Sequence, residues 1–267
     1  MEEMKAAVRG RQRTPEPEIS YFGLQAYLGT TKHMGGLEST RDLVEMCHAD
    51  EHAYVLDVGC GAGATACTLA KEFGADVMGV DLRESMISRA EERAAREGLT
   101  DKIEFRVADA RDLPFEDGVF DIVLSESVAT FIADKQRVLS ELSRVVKTGG
   151  FVGLNEEIWL NRPLPGLAET AGSIWEIEPE ILTAAAWLQL LKGAGLRDIA
   201  GRTFAFDVRR ESSQLKRDGF DDYWRMFSRT LSLYIRDPAF RAYMRDERRL
   251  PEDVFDYLGY GLFAGRK

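Results

Sequence analysis

Short apolar runs and longer amphipathic stretches alternate along this chain from about residue 53. The runs Ala53 to Val58, Asp76 to Val80, Lys102 to Val107, Phe120 to Leu124 and Gly150 to Leu154 are each close to continuously apolar, as strands buried on both faces are. Between them, apolar side chains recur at helical spacing. Ala66, Leu69, Ala70 and Phe73 run up to Gly74, and Met86, Ile87, Ala90 and Ala94 run up to Gly98. Val138, Leu139, Leu142, Val145 and Val146 precede Thr148, Gly149 and Gly150. Such stripes are the core faces of helices, and a glycine just past the last turn is a common stop. Ser85 and Asp134 stand where N-caps belong. Strands alternating with helices predict βαβ units and a doubly wound, mostly parallel sheet with helices on both faces.

Beyond residue 155 the pattern loosens into a proline-containing loop, "NRPLPG". A helix is then predicted over Ile181 to Lys192, ended by Gly193 or Gly195, followed by an alternating strand from Ile199 to Val208 and a last strand from Tyr260 to Arg266. Between those strands lies an insertion, Arg209 to Tyr257, in which Phe220, Tyr223, Trp224, Phe227, Leu231 and Tyr234 recur at helical spacing. Asp237-Pro238 and Leu250-Pro251 read as starts of further short helices. Two readings stand for the insertion: an aromatic helix packed on the flank of the sheet, or a cap over a site.

Composition narrows the function classes. A chain of 267 residues with 45% hydrophobic content can bury a full α/β core. A formal net charge of -10 argues against a broad attraction to phosphate backbones or anionic lipid, so no nucleic-acid or membrane partner is expected. No apolar stretch has the length of a membrane span and the first twenty residues are charged, which leads us to expect a cytoplasmic protein. Cys47, Cys60 and Cys67 lack a C-x-x-C spacing, and "CHADEH" matches no standard ligand spacing, so neither a disulfide framework nor a metal is expected.

The chemistry centres on "VLDVGCGAG", residues 55 to 63. An apolar run stopping at alternate glycines before a helix is a strand, a tight turn and a ligand-facing helix start. Gly59, Gly61 and Ala64 satisfy the dinucleotide pattern G-x-G-x-x-[GA], with Asp81 at the end of the second strand as the ribose acid. S-adenosylmethionine is the competing ligand, and the glycines alone do not separate the two. Asp57 counts against the dinucleotide, because a carboxylate inside a strand needs a cationic or hydrogen-bonding partner.

Four segments in order, residues 55–63, "VMGVD" (77–81), "ADARDLPFEDGVFD" (108–121) and "LSRVVKTGG" (142–150), resemble successive motifs of the class I S-adenosylmethionine-dependent methyltransferases, in their small-molecule branch. The resemblance implies a Rossmann-like seven-stranded sheet, mostly parallel with an antiparallel last strand, and a helical cap. It divides the chain into an N-terminal cap segment (1–37), a methyltransferase core (38–208 with 258–267) and a helical insertion (209–257) read as a substrate cap. It places Asp57, Gly59, Cys60 and Gly61 around the methionine end, with Gly63 opening the helix. Asp81 would accept the ribose hydroxyls, Leu82 and Met86 pack on the adenine, Asp109 accept from its amine, and Ala110 contact the ring edge.

The same resemblance puts Tyr27 and His33 near the methyl group. Glu126 and Glu156, with Asn155 and Glu157, lie near strand ends as candidate catalytic groups, and Glu126 also borders the cofactor. Methyl transfer needs alignment and exclusion of water more than a strong catalytic motif, with a base only where the acceptor loses a proton. The expected activity is therefore methyl transfer to a small, partly apolar organic molecule. A nicotinamide-dependent oxidoreductase and a non-catalytic S-adenosylmethionine-binding module are the alternatives.

Overall fold

A computed structural model of the chain describes residues 19–30, 33–163, 166–167, 180–211, 213–245 and 252–267. Helices α1 (Tyr21–Leu28) and α2 (Gly36–Met46) come first. The alternating core follows: β1 (Tyr54–Val58), α3 (Ala64–Phe73), β2 (Asp76–Asp81), α4 (Glu84–Glu97), β3 (Ile103–Val107), β4 (Phe120–Glu126), a 3-10 turn (Ala129–Phe131), α5 (Lys135–Val145) and β5 (Val146–Trp159). A two-residue β6 (Leu182–Thr183), α6 (Ala184–Gly193) and β7 (Arg197–Ala205) lead to the insertion, which holds α7 (Val208–Glu211), α8 (Ser213–Arg236) and α9 (Pro238–Arg245) before β8 (Leu258–Arg266).

The sheet runs β3-β2-β1-β4-β5-β8-β7, with β6 beside the end of β5. β8 is antiparallel to both its neighbours, and the other pairs are parallel. This is the expected doubly wound order with an antiparallel last strand. The strand order reverses between β1 and β4, and in such sheets ligands bind outside the carboxyl ends of the strands at that point. One apolar core, including Leu56, Val58, Val123, Leu139 and Trp187, fills the side under α5 and α6. The other, including Leu43, Val55, Leu69 and Ile122, fills the side under α2 and α3.

Several local expectations are revised. Thr148 to Gly150 do not end a helix: α5 stops at Val145, Val146 already pairs with Phe120, and the register slips before Phe151 meets Ile122. A Cβ on Gly150 would stand 2.4 Å from the Asp121 carbonyl, so the glycine serves strand contact. Ser85 lies inside α4, whose N-cap is Arg83 with no side-chain cap bond. Asp134 does cap α5, accepting from the Arg137 amide. Ile181 precedes β6, and α6 starts at Ala184 behind the Thr183 cap.

In the insertion, Asp237 accepts from the amides of Ala239 and Phe240 and so opens α9. Leu250-Pro251 falls outside the described residues, as do the side chains of Phe220 and Tyr223. Trp224, Phe227, Leu231 and Tyr234 are exposed rather than packed on the sheet. Leu233 and Phe240 make the buried contact instead, against Leu24 of α1.

A charged clasp fixes the loop between β3 and β4. Glu141 of α5 accepts from the Leu113 amide at 2.9 Å and binds both Nε and Nη2 of Arg144. Arg144 in turn donates to the carbonyls of Leu113 and Phe115 and to Asp117. Loop carbonyls and amides that no strand satisfies are thereby satisfied by side chains. Replacing Arg144 by Ala is expected to cost about 1 to 2 kcal/mol and to raise amide exchange across residues 111 to 117 ahead of the sheet. Unchanged exchange in that loop would show that the clasp does not hold it.

Candidate active site

The glycine turn folds back onto the end of β2. The amides of Gly59 and Cys60 both donate to the Val80 carbonyl, at 2.7 and 2.9 Å, and the Gly61 amide donates to Asp81 Oδ2 at 3.0 Å. Asp81 Oδ1 accepts from the Arg83 amide at 2.9 Å. Gly59 has φ +74°, and a Cβ there would lie 2.2 Å from Val128, so only glycine fits against the chain leaving β4. Gly63 is the left-handed N-cap of α3.

That geometry separates the two ligand classes that the glycines left open. A pyrophosphate is held by turn amides directed at it. Here the amides of Gly59, Cys60 and Gly61 are all engaged by protein oxygens. The backbone of these three residues can border a ligand, but not by donating to an anion. A cationic group is the better neighbour, and the buried Asp57 in β1 lies close by. Burial, with Asp57 and Asp81 nearby, pushes the Cys60 thiol well above its ordinary range, so it is a packed core group and not a nucleophile.

Asp81 is raised above the ordinary carboxylate range by burial, against the pull of its two backbone donors. Each of its oxygens keeps a lone-pair direction beyond the amide it accepts, which suits a pair of vicinal hydroxyls. Beside it Leu82 is 66% exposed and Val107, at the end of β3, is 47% exposed. Two open apolar side chains flanking a buried carboxylate fit an adenosine. Met86 is buried on α4 and Ala110 is 9% exposed. Asp109 is bound through both oxygens by Arg111, at 2.6 to 3.1 Å, and this guanidinium holds its carboxyl below the usual range. An adenine amine would share Asp109 with Arg111.

A buried polar knot closes the end of β4. Glu126 accepts from Thr65 Oγ1 at 2.8 Å and from Thr40 Oγ1 at 3.1 and 3.2 Å, and His33 Nε2 stands 3.7 Å from it. Asn155 Nδ2, on β5, lies 3.2 Å from His33 Nδ1 and donates to the Met34 carbonyl at 3.1 Å and to Ser39 Oγ at 3.1 Å. The knot joins α2, α3, β4 and β5. Thr40, Thr65 and Ser39 were not singled out in the sequence, because small hydroxyl residues on helices give no periodic signal.

The other candidates fall elsewhere. Glu156 is fully buried and accepts from the amides of Val128, Ala129 and Thr130 and from Thr130 Oγ1, at 2.8 to 3.3 Å. Both its oxygens pin the 3-10 turn, so it is not available as a catalytic base. Burial, with Glu157 beside it, pushes it up to about 7. Glu157 accepts from Ser127 Oγ at 2.9 Å, and burial raises it too. Tyr27 packs with Leu24, Leu233 and Phe240 between α1 and the insertion, away from the knot. Among the described residues no three His, Cys, Asp or Glu side chains are grouped to hold a metal ion.

The described helices contain none long and apolar enough to cross a membrane. Residues 56–154 match the family model described as "Methyltransferase domain". The chain is 31% identical over 177 residues to an uncharacterized protein of Haemophilus influenzae, covering 65% of this chain and 70% of that one. It is 41% identical over 122 residues to the chloroplastic tocopherol O-methyltransferase of Arabidopsis thaliana, covering 46% of this chain and 34% of that one. It therefore spans about a third of the length of that relative. Among solved structures, the [4+2]-cyclase SpnF superposes with a TM-score of 0.71 at 20% identity, covering 91% of each chain. With four ordered motifs, this sheet and these matches, the chain belongs to the class I S-adenosylmethionine-dependent methyltransferases. S-adenosylmethionine is the cofactor of that family, and the nicotinamide alternative falls with it.

The burial of Glu156 has a measurable consequence. Its folded value near 7 lies above the ordinary 4.5, so across that window the folded chain holds a proton the unfolded chain has released. Stability from this group is present below the window and is lost as pH rises through it. Glu156→Gln should lower the melting temperature overall and flatten its fall between pH 4.5 and pH 7, measured by thermal melting. An unchanged slope would remove Glu156 from the pH response.

Proposed function

We propose that this protein transfers a methyl group from S-adenosylmethionine to a small, partly apolar organic acceptor. The observation that carries this reading is the placement of Asp81 and the Glu126 knot at the ends of β2 and β4, on either side of one glycine turn. When bound, the cofactor supplies an electrophilic methyl group on a sulfonium. Asp81 binds the ribose hydroxyls, Leu82 and Val107 flank the adenine, Asp109 meets its amine, and Asp57 provides the negative charge for the methionine amino group.

His33 and Glu126 act through position. Both imidazole nitrogens face protein groups, so the pair fastens the segment before α2 across the ends of β4 and β5 and keeps water out. Helix α1 and the described insertion helices α8 and α9 belong to the cap. Supporting this, Phe22 of α1 packs edge-on against Phe131 at 5.4 Å and lies under Arg83 at 5.8 Å, bridging the ends of β4 and β2. The acceptor class rests on the exposed Trp224 and Phe227 in that cap and on the relative named for tocopherol. The net charge of -10 disfavours nucleic acid, and three free thiols suit the cytoplasm.

Thermal melting with S-adenosylmethionine, S-adenosylhomocysteine and NAD in parallel tests the cofactor. A ligand at 100 times its dissociation constant adds about 2.7 kcal/mol. The adenosyl ligands alone should give the rise, and Asp81→Ala should remove about 1 to 3 kcal/mol of binding. A rise with NAD alone would sink the reading, and cofactor binding without turnover of any acceptor would reduce it to a binding module. Glu126→Gln should weaken S-adenosylhomocysteine binding and lower kcat together with the pH profile of kcat unchanged. Selective loss of one limb of that profile would make the pair a proton acceptor instead.

A further inference from the structure

The insertion opens with α7, whose last two residues, Arg210 and Glu211, both reach the start of α2. Glu211 Oε1 accepts from the Gly35 amide at 2.6 Å, at the N-terminal end of α2, where the helix dipole favours a carboxylate. Arg210 donates to Asp42 and stands 3.4 Å from Glu38, one turn away on α2. Its guanidinium also lies over the Phe204 ring of β7, at 4.4 Å. Phe204 stacks on Tyr260 of β8 at 5.0 Å, and a Cβ on Gly35 would meet Tyr260 Oη at 2.4 Å. Gly35, with φ +80°, is therefore held between a carboxylate of the insertion and a ring of the sheet.

This grip acts next to the polar knot. Met34, the residue before Gly35, gives its carbonyl to Asn155 Nδ2 at 3.1 Å and to Ser39 Oγ at 2.9 Å. His33, one residue further back, stands 3.3 Å from Thr40 Oγ1 and 3.7 Å from Glu126. Glu126 in turn accepts from Thr65, in the first turn of the helix that the glycine turn opens. Polar contacts thus lead from the insertion through Gly35 and His33 to the glycine turn. A shift of one group would leave a buried donor or acceptor without its partner, which costs more than the bond itself. The far end of α8 is held separately, by Leu233 against Leu24 and by Arg229 on the Leu28 carbonyl at 3.2 Å.

We propose that Arg210 and Glu211 are positioning residues for methyl transfer. They fasten the near end of the insertion to the Gly35 segment, so that filling the cofactor site tightens the cap and the fastened cap tightens cofactor binding. Both residues act through Gly35 and His33 and not on the reacting groups. Coupling between two sites is reciprocal, so it can be read from the cofactor side with no acceptor present. It rests on the S-adenosylmethionine site proposed above, and ligand binding and its transmission to α8 are measured separately.

The test is amide hydrogen exchange of the full chain with and without S-adenosylhomocysteine, each variant being saturated according to its own dissociation constant. In the unsubstituted protein the ligand should slow exchange at least fivefold over residues 33 to 37 and over residues 213 to 224, the first half of α8. In the double variant Arg210→Met with Glu211→Leu, the slowing over 213 to 224 should vanish while that over β2 persists, and the dissociation constant should rise at least fivefold. Arg210→Lys with Glu211→Gln keeps a cation for Asp42 and an acceptor for the Gly35 amide, and should restore both. Asp42→Ala acts from the α2 side with the insertion unaltered; it should cut the slowing at least by half, and it carries the test if the double variant does not fold. Undiminished slowing over 213 to 224 in either variant, or none in the unsubstituted protein with ligand bound, would overturn the coupling. Failure of S-adenosylhomocysteine to bind at all would overturn the cofactor reading, and the coupling with it.

Discussion

The site depends on how the end of β2 holds the glycine turn. One carbonyl, that of Val80, takes two amides from the turn, and one carboxylate, that of Asp81, takes a third while also accepting from Arg83 at the start of α4. Removing either acceptor would leave buried or half-buried donors without partners, which costs more than the lost bond itself. The tie also sets which ligand the turn can meet. With those amides engaged, the turn has lost the donors a pyrophosphate would use at these positions, and the acid that forms the tie keeps its outer lone pairs for hydroxyls.

Around that tie, charged and polar side chains do work that secondary structure cannot. The Glu141–Arg144 clasp holds the loop bearing Asp109, Glu156 holds the turn after β4, and Glu126 gathers Thr40 and Thr65 from two helices. Each is a carboxylate answering backbone or hydroxyl donors in a place where the chain is irregular. Buried groups of this kind demand full satisfaction, so they fix loop positions tightly. The cost is visible in the upward shifts of Glu156 and Glu157, where burial outweighs the hydrogen bonds.

The core strands were legible because parallel strands buried on both faces must be continuously apolar, and the helix stripes because one face must be buried. Reading failed where tertiary contacts override local pattern. Gly149 and Gly150 look like a helix stop, but close approach of the β4 backbone recruits them into β5. Ser85 is a good cap by type, but the Asp81 carboxylate already satisfies the Arg83 amide and the N-cap falls two residues earlier, at Arg83. The aromatic spacing of α8 is helical as expected, yet it is Leu233 that turns inward while Trp224, Phe227 and Tyr234 face solvent.

By itself the sequence determined the alternating architecture, the family and the acids at the strand ends, since these follow from periodicity and from motifs within short stretches. Tertiary structure alone decided where the turn amides point, that Glu156 is a turn anchor, and that His33, Thr40, Thr65, Glu126 and Asn155 share one knot. It also decided that Arg210 and Glu211 of α7 meet the start of α2, more than a hundred residues away. The physical reason is the same in each case. Polar contacts between distant segments depend on side-chain direction in three dimensions, and a polar residue in sequence carries no periodic mark of the partner it will meet.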